Sequence, residues 1–349
     1  MALITWTHPR RLRGVASQPT HQGDWDGVRL HVVTGKGGTG KTTMAAALAL
    51  AIASSGKSVL LCEVEGRQGI AQLFDVPPLP YVERRIASGP DNGGDVYALA
   101  IDAESALLEY LAMYYHLGRA GKALDRFGVL DFATTIAPGV RDVLLTGKVY
   151  EAAHRNKRSK NARHYDAIVL DAPPTGRIAA FLNVNHELAG LAKVGPIRSQ
   201  ADTVATLLQS SHTAVHLVTS LEDMPVQETA DGIEALRAAK LPVGGVIVNM
   251  VRPNELDEVA RDQAIRGNLP RELIEEDLAQ AWVEPTKTLV DGLLTEAREH
   301  AERKALEDHQ REQVDKLGVP TYELPRLSDG IDLGALYELA ADLCEQGMA

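Results

Sequence analysis

"HVVTGKGGTGKTTMAAALALAIA", residues 31 to 53, decides the fold. An apolar run ends in a glycine-rich turn, and a long alanine- and leucine-rich segment follows at once. Gly35-Lys36-Gly37-Gly38-Thr39-Gly40-Lys41-Thr42 fills every required position of the phosphate-loop pattern. Glycines let consecutive backbone N–H groups turn inward around phosphates. Lys41 is placed to reach the terminal phosphates, and the Thr42 hydroxyl, with Thr43 beside it, to meet a magnesium ion. The helix that follows directs its positive N-terminal end at the same anion. Residues 35 to 43 are therefore expected to hold ATP or ADP with Mg2+. Lys36 is surplus to this design. The loop backbone already surrounds the phosphates, so a side chain leaving at position 36 points outward. There it can reach nucleotide on a facing subunit and neutralise developing charge, as an arginine finger does in trans.

Working outward, further apolar runs end in Gly, Asp or Asn and alternate with helical patterns. Strands are expected at 28–35, 57–66, 95–102, 165–176, 213–220, 243–249 and 319–327, with helices at 42–54, 104–117, 226–239 and 286–313. Such alternation predicts an α/β fold, a mostly parallel sheet covered on both faces, with ligands at the carboxyl ends of the strands. Two intervals, about 103–164 and 183–212, hold no strand pattern and are expected to form an inserted helical subdomain. Residues 1–27 read as a flexible polar arm ahead of the ATPase domain at 28–349.

The 349 residues carry a net charge of -11, which excludes non-specific electrostatic binding of nucleic acid. Two cysteines, Cys62 and Cys344, are too few for a disulfide framework or a Cys-based zinc site. The longest apolar run, Met44 to Ala53, is too short to span a bilayer, and the N-terminus lacks the apolar core of a signal peptide. A cytoplasmic protein with at most peripheral membrane contact is expected.

Two more segments bear on chemistry. In "LLCEVEGRQGIAQLF" Glu65 is the candidate to orient an attacking water. In "YDAIVLDAPPTGR" Asp171 ends a buried strand and fits a carboxylate that holds magnesium through water. With these in place, "KGGTGKTT" resembles the deviant Walker A loop of the dimerising ATPases. These are the arsenite-pump ATPases, the guided-entry ATPases of tail-anchored membrane proteins, the MinD and ParA partitioning ATPases and nitrogenase iron protein. Ala172-Pro173-Pro174-Thr175-Gly176 resembles the Asp-Thr-Ala-Pro-Thr-Gly-His signature of the arsenite-pump and guided-entry branch, with Ala172 replacing Thr and Arg177 replacing His. The resemblance implies that Lys36 acts across a dimer and that Glu65 stands where the family has a catalytic Asp. It also implies that Asn249 reads the adenine, an amide offering both donor and acceptor, and that Leu324 to Leu327, with Pro325, cover the base. "EVEGRQGIAQLFDVPPLPY" and "FATTIAPGVRDVLLTGK" resemble, more narrowly, the paired guided-entry-like ATPases of mycobacteria and related actinobacteria.

The implied output is chaperoning or targeting of a hydrophobic protein segment by a homodimer, or by a heteromer with a paralogous ATPase. Leu107, Leu108, Leu111, Tyr114 and Tyr115, widened by Tyr110, Met113 and Leu117, form one apolar stripe; Ile197, Ala201, Val204 and Leu208 form another. Both fit either packing inside the helical subdomain or a groove for a client helix. "RNKRSKNARH", 155 to 164, holds five Lys or Arg and no acid, and fits a solvated loop or a docking patch for an acidic partner or anionic membrane. Three other outputs compete. A regulatory subunit that completes a paralogue's site is favoured by Glu65 and Arg177. A partitioning ATPase lacks the expected basic patch. A metalloid pump is disfavoured because 103–212 contains no cysteine for soft thiolate coordination.

Overall fold

The computed structural model describes residues 25–90, 93–115, 139–155, 162–191, 196–328 and 330–349. Two compact units emerge. The larger joins Gln22–Val251 to Gln310–Ala349, and the smaller contains Arg252–His309.

The larger unit is built on an eight-stranded sheet. Its strands are β1 Leu30–Gly35, β2 Val59–Glu63, β3 Arg84–Ser88, β4 Asp95–Ala100, β5 Ala167–Asp171, β6 Thr213–Thr219, β7 Val243–Val251 and β8 Thr321–Pro325. Their order is β3-β4-β2-β5-β1-β6-β7-β8. All neighbours run parallel except β3 and β4. The seven strands expected from the sequence are present. The eighth, β3, is a short antiparallel edge whose "RRIAS" has no apolar run to betray it, and its charged residues suit an edge that must not recruit another chain. The central strands are buried along their whole length, because helices cover both faces. Strand order reverses about β1, with β5 on one side and β6 on the other, so the turn after β1 lies at a topological switch point.

Helix α1, Lys41–Ser54, explains one face. Every residue from Met44 to Ala53 is buried, which an all-round apolar helix requires. It shares a core with Val33 of β1, Leu61 of β2, Val169 of β5 and Leu336, Leu339 and Leu343 of the last helix, Leu333–Glu345. A short helix α2, Gly69–Leu73, follows β2. The other face is covered by α3 Ala103–Tyr115, α4 Val140–His154, α5 Thr175–Leu191, α6 Pro196–Leu208 and α7 Asp223–Ala238. Leu145 and Val149 of α4, Ile178 and Phe181 of α5 and Val204 and Leu208 of α6 pack with Leu30, Leu60 and Leu170 of the sheet. Helices α4 and α6 of the two strand-free intervals therefore share the sheet's own core. Of the second apolar stripe, Ala201, Val204 and Leu208 are buried; the side chains of Ile197 and of residues 110–117 lie outside the described ones, as do residues 1–24 of the arm.

A polar network ties β3 and the segment before it to the helices. Tyr81 donates to Glu109 of α3 at 2.6 Å, and Lys148 of α4 bridges Glu109 at 2.7 Å. Arg155 pairs with Glu83 and Glu151, while Arg163 lies 3.8 Å over the ring of Tyr97. Two cations of the basic segment thus have partners in the fold; residues 156–161 lie outside the described ones.

The smaller unit holds α8 Glu258–Ile265, α9 Arg271–Gln280 and the greater part of α10 Lys287–Asp315. Arg271 pairs with Glu275 and Asp291, and a buried Lys304 donates to the Arg252 carbonyl at 3.1 Å. The remaining helix, α11, is Leu333–Glu345.

Candidate nucleotide site

The loop after β1 has the geometry its glycines foretell. Gly40 is left-handed, at φ 89, and a Cβ there would stand 2.5 Å from Nδ2 of Asn249. Gly35 is fixed for another reason: a Cβ would meet the Val218 carbonyl oxygen of β6 at 2.3 Å. Thr39 closes the turn, its hydroxyl donating to the Lys36 carbonyl at 2.9 Å. Upstream, the Thr34 hydroxyl donates to the Pro173 carbonyl at 2.7 Å, which ties the loop's base to the segment after β5. Helix α1 begins at Lys41 with no side-chain cap, so its N-terminal amides face the turn.

Two predicted metal-side groups meet directly. The Thr42 hydroxyl donates to Oδ2 of Asp171 at 2.7 Å. Burial pushes the Asp171 carboxyl up to about 6; the Thr42 hydrogen bond works against this, Glu63 adds to it, Lys41 opposes it and Glu65 adds again. A buried carboxylate hydrogen-bonded to a hydroxyl offers two hard oxygen donors of the kind magnesium takes. Thr42 and Asp171 therefore fit magnesium.

The loop after β2 holds Glu65, which is partly exposed and 3.7 Å from Nε of Arg67. Gly66 and Gln68 both take left-handed backbone conformations. Glu63, at the end of β2, is 2% exposed and accepts from the amides of Gly69 and Ile70 at 3.3 and 3.4 Å. The sequence reading passed over Glu63, although an acid closing a buried apolar strand was a visible signal. Arg177 sits 3.6 Å from Asp142 of α4.

Lys36 does not fold back on its own loop. Its Nζ lies 2.7 Å from Oε1 of Glu228 on α7. Nothing in the sequence pointed to Glu228, which is remote along the chain and sits in an ordinary polar helix pattern.

Asn249 is placed beside the loop, yet both ends of its amide are engaged. Nδ2 donates to the Thr39 carbonyl at 2.9 Å, and Oδ1 accepts from the Met250 amide at 2.8 Å. Reading a base would require it to leave Thr39. The expectation for Leu324 is corrected: it is fully buried in the core with α1 and α11, because β8 alternates its faces and Leu324 falls on the inner one. Pro325, next along, is partly exposed and pairs in register with Val251.

Residues 28–204, half of the chain, match the family described as anion-transporting ATPase. ATPase BagA of Mycobacterium tuberculosis (strain ATCC 25618 / H37Rv) is 55% identical over 322 residues, 92% of this chain and 94% of that one. ATPase GET3 of Podospora anserina is 27% identical over 228 residues, 64% of this chain and 62% of its own. ATPase GET3 of Chaetomium globosum is 30% identical over 192 residues, 54% of this chain and 52% of its own. The phosphate loop, the parallel sheet that presents it and these likenesses agree: the chain belongs to the anion-transporting ATPase family.

Proposed function

We propose that the chain hydrolyses ATP as a nucleotide-closed dimer and that the cycle handles a hydrophobic protein segment. The observation that carries the dimer is Lys36. It leaves its own phosphate loop and extends to Glu228, so its ammonium stands outside the cradle it belongs to. In this reading Gly35 to Thr43 cradle ATP or ADP, and Lys41 binds the terminal phosphates. Thr42 and Asp171 hold Mg2+, which when bound offsets phosphate charge. Glu65 orients the attacking water from within its own subunit. Lys36 of the facing subunit supplies positive charge between the terminal phosphates. Asn249 and Pro325 flank the base once Asn249 has turned from Thr39.

Closure and opening of the dimer would move the helices of 103–164 and 183–212 relative to those of the partner. The resemblance to guided-entry ATPases supports a greasy client over a metalloid. The only cysteines are Cys62 and Cys344, and burial pushes the Cys62 thiol up to about 12, far from a thiolate ligand. No helix among the described residues is long and apolar enough to cross a membrane.

A second reading is favoured by the loop after β2, Val64 to Gln68, the first switch loop. Glu65 is one methylene longer than Asp and leans toward Arg67. Displacement of a catalytic group by about 1 Å costs on the order of 100-fold. A weakly active subunit that completes the site of a paralogous ATPase would have this character.

Steady-state ATPase rate against enzyme concentration, with Lys36→Ala and Glu65→Gln beside the parent, tests both. Specific activity that rises with concentration and is lost in each variant supports the homodimer. Negligible turnover at every concentration, with ATP still bound, sinks it in favour of the heteromer.

A further inference from the structure

The acid that stands out in the first switch is not Glu65 but the residue two before it. Glu63 ends β2, is 2% exposed, and lies in register with Asp171 on the neighbouring strand β5. Its two carboxylate oxygens accept from the amides of Gly69 and Ile70, at 3.3 and 3.4 Å. The chain between these points is the switch loop itself, Val64 to Gln68, with Glu65 inside it. The Glu63 side chain therefore closes a ring whose other side is the loop's own backbone.

Other contacts hold this ring in place. Gln68 is left-handed, and its side-chain amide bonds both backbone groups of Leu79, at 3.1 and 2.7 Å. Gly69 packs closely on Thr42: a Cβ there would stand 3.1 Å from Cγ2 of Thr42, tighter than ordinary contact. The far end of the loop thus rests on the residue that hydrogen-bonds Asp171. Gly66 adopts its left-handed conformation freely, whereas Gln68 does so with a side chain and is held there by its two bonds to Leu79.

We infer that Glu63 is a positioning residue: by bonding the Gly69 and Ile70 amides it closes the first switch loop and sets where Glu65 stands. It needs no contact with nucleotide to do so. The inference rests on the assignment of Glu65 in the proposed function. It adds that the loop is held by a carboxylate that pairs in register with Asp171 on the neighbouring strand.

Glu63→Asp is the sharpest test, since it keeps the charge and withdraws the carboxylate by one methylene from bonds already long. Glu63→Ala and the double variant with Glu65→Gln accompany it. Amide hydrogen exchange over 64–71 is measured on the nucleotide-free and Mg-ADP-bound full chain, and kcat and KM for ATP are measured separately. Exchange at Gly69 and Ile70 should quicken at least tenfold, with the rest of the sheet unaltered. kcat should fall at least tenfold with KM within twofold, and removing Glu63 in the Glu65→Gln background should cost nothing further. Unchanged exchange over 64–71 in Glu63→Asp overturns the inference, as do losses from the two residues that multiply. Exchange is read without turnover. An inactive parent whose loop still loosens in Glu63→Asp would fault the proposed catalysis and leave the positioning role standing.

Discussion

Replacing Lys36 by Ala separates a solvated lysine from one that works across a dimer. In the single chain Lys36 has one strong partner, Glu228, at 2.7 Å, with side chains 28% and 36% exposed. A pair this open to water contributes about 0.2–1 kcal/mol to stability. Lys36→Ala should therefore shift unfolding by less than about 1 kcal/mol. A finger acting in trans is worth about 10³–10⁵ in rate, or roughly 4–7 kcal/mol of barrier. A lysine lacks the forked guanidinium, so the lower end, about 1,000-fold, is expected. The two effects differ several-fold in energy and are read by different instruments, urea unfolding and ATP turnover. Complementation sharpens the test. In a heterodimer of Lys36→Ala with Glu65→Gln, one of the two sites has its own Glu65 and receives an intact Lys36 from the other subunit. Random pairing of equal amounts should then recover about a quarter of parental turnover, as two-fold symmetry dictates. A mixture no more active than its parents refutes action in trans. Glu228→Gln belongs to the same experiment. If Lys36 must leave Glu228 before it can cross, removing that partner raises turnover, by at most about fivefold for 1 kcal/mol.

Asn249→Ala leaves the buried Thr39 carbonyl without its donor. It should destabilise the nucleotide-free chain by about 1–3 kcal/mol, and a urea midpoint equal to the parent's would show that the brace has no weight. Gly232→Ala on α7 places a Cβ 2.2 Å from Cγ2 of Thr175. That overpacking should cost about 1–3 kcal/mol, read by thermal unfolding and contradicted by an unshifted transition. The buried pair His31 and His216, joined at 3.1 Å, gives a pH dependence. Burial, and then the charge of Lys57, lowers His31 to about 4; burial, and then His31, holds His216 well below its ordinary value. The unfolded chain binds these protons near pH 6.5 and the folded chain does not. Stability is therefore full above about pH 6.5 and falls as pH drops toward 4, by up to about 1.4 kcal/mol per pH unit for each histidine. Equal urea midpoints at pH 7.5 and 5.5 would sink this reading.

Much of this fold is written in local patterns. The phosphate loop, the apolar helix after it and seven of the eight strands each declare themselves within a few residues, because glycine freedom, all-round burial and strand length act locally. What escaped the sequence is what depends on distant partners. Strand β3 is an edge, so it needs no apolar run and leaves none. The partner of Lys36 lies far along the chain on a helix whose pattern is that of any half-buried surface element. Asn249 stood out at a strand end, but its grip on Thr39 depends on how β7 lies against the loop, which no spacing encodes. Leu324 was placed over the base by the resemblance alone, whereas β8 turns that leucine inward. Glu63 was in plain view and was passed over because the familiar register drew attention to Glu65 alone.

The same long-range contacts connect the segment after Asp171 to the lysine. Ala172 donates its amide to the Val33 carbonyl, and the Thr34 hydroxyl donates to the Pro173 carbonyl at 2.7 Å, so the segment after Asp171 is anchored to the strand that bears the loop. Thr175, two residues on, packs against Gly232 of α7 so closely that no Cβ would fit between them. Its hydroxyl is buried without a hydrogen-bond partner among the described residues, a state that costs about 1–3 kcal/mol and is relieved by movement toward a polar group. Gly232 and Glu228 are four residues apart on α7, and therefore on one face. A shift of the Pro-Thr-Gly segment when nucleotide binds would, on the proposed mechanism, press on α7 one turn from the carboxylate that holds Lys36. On the proposed mechanism, the event that fills the site with Mg-ATP and the event that frees Lys36 for the facing subunit are then the same displacement, carried by one packed contact. Filling the Gly232 side with a methyl group should consequently disturb dimer-dependent turnover more than nucleotide affinity, which a purely structural glycine would not do.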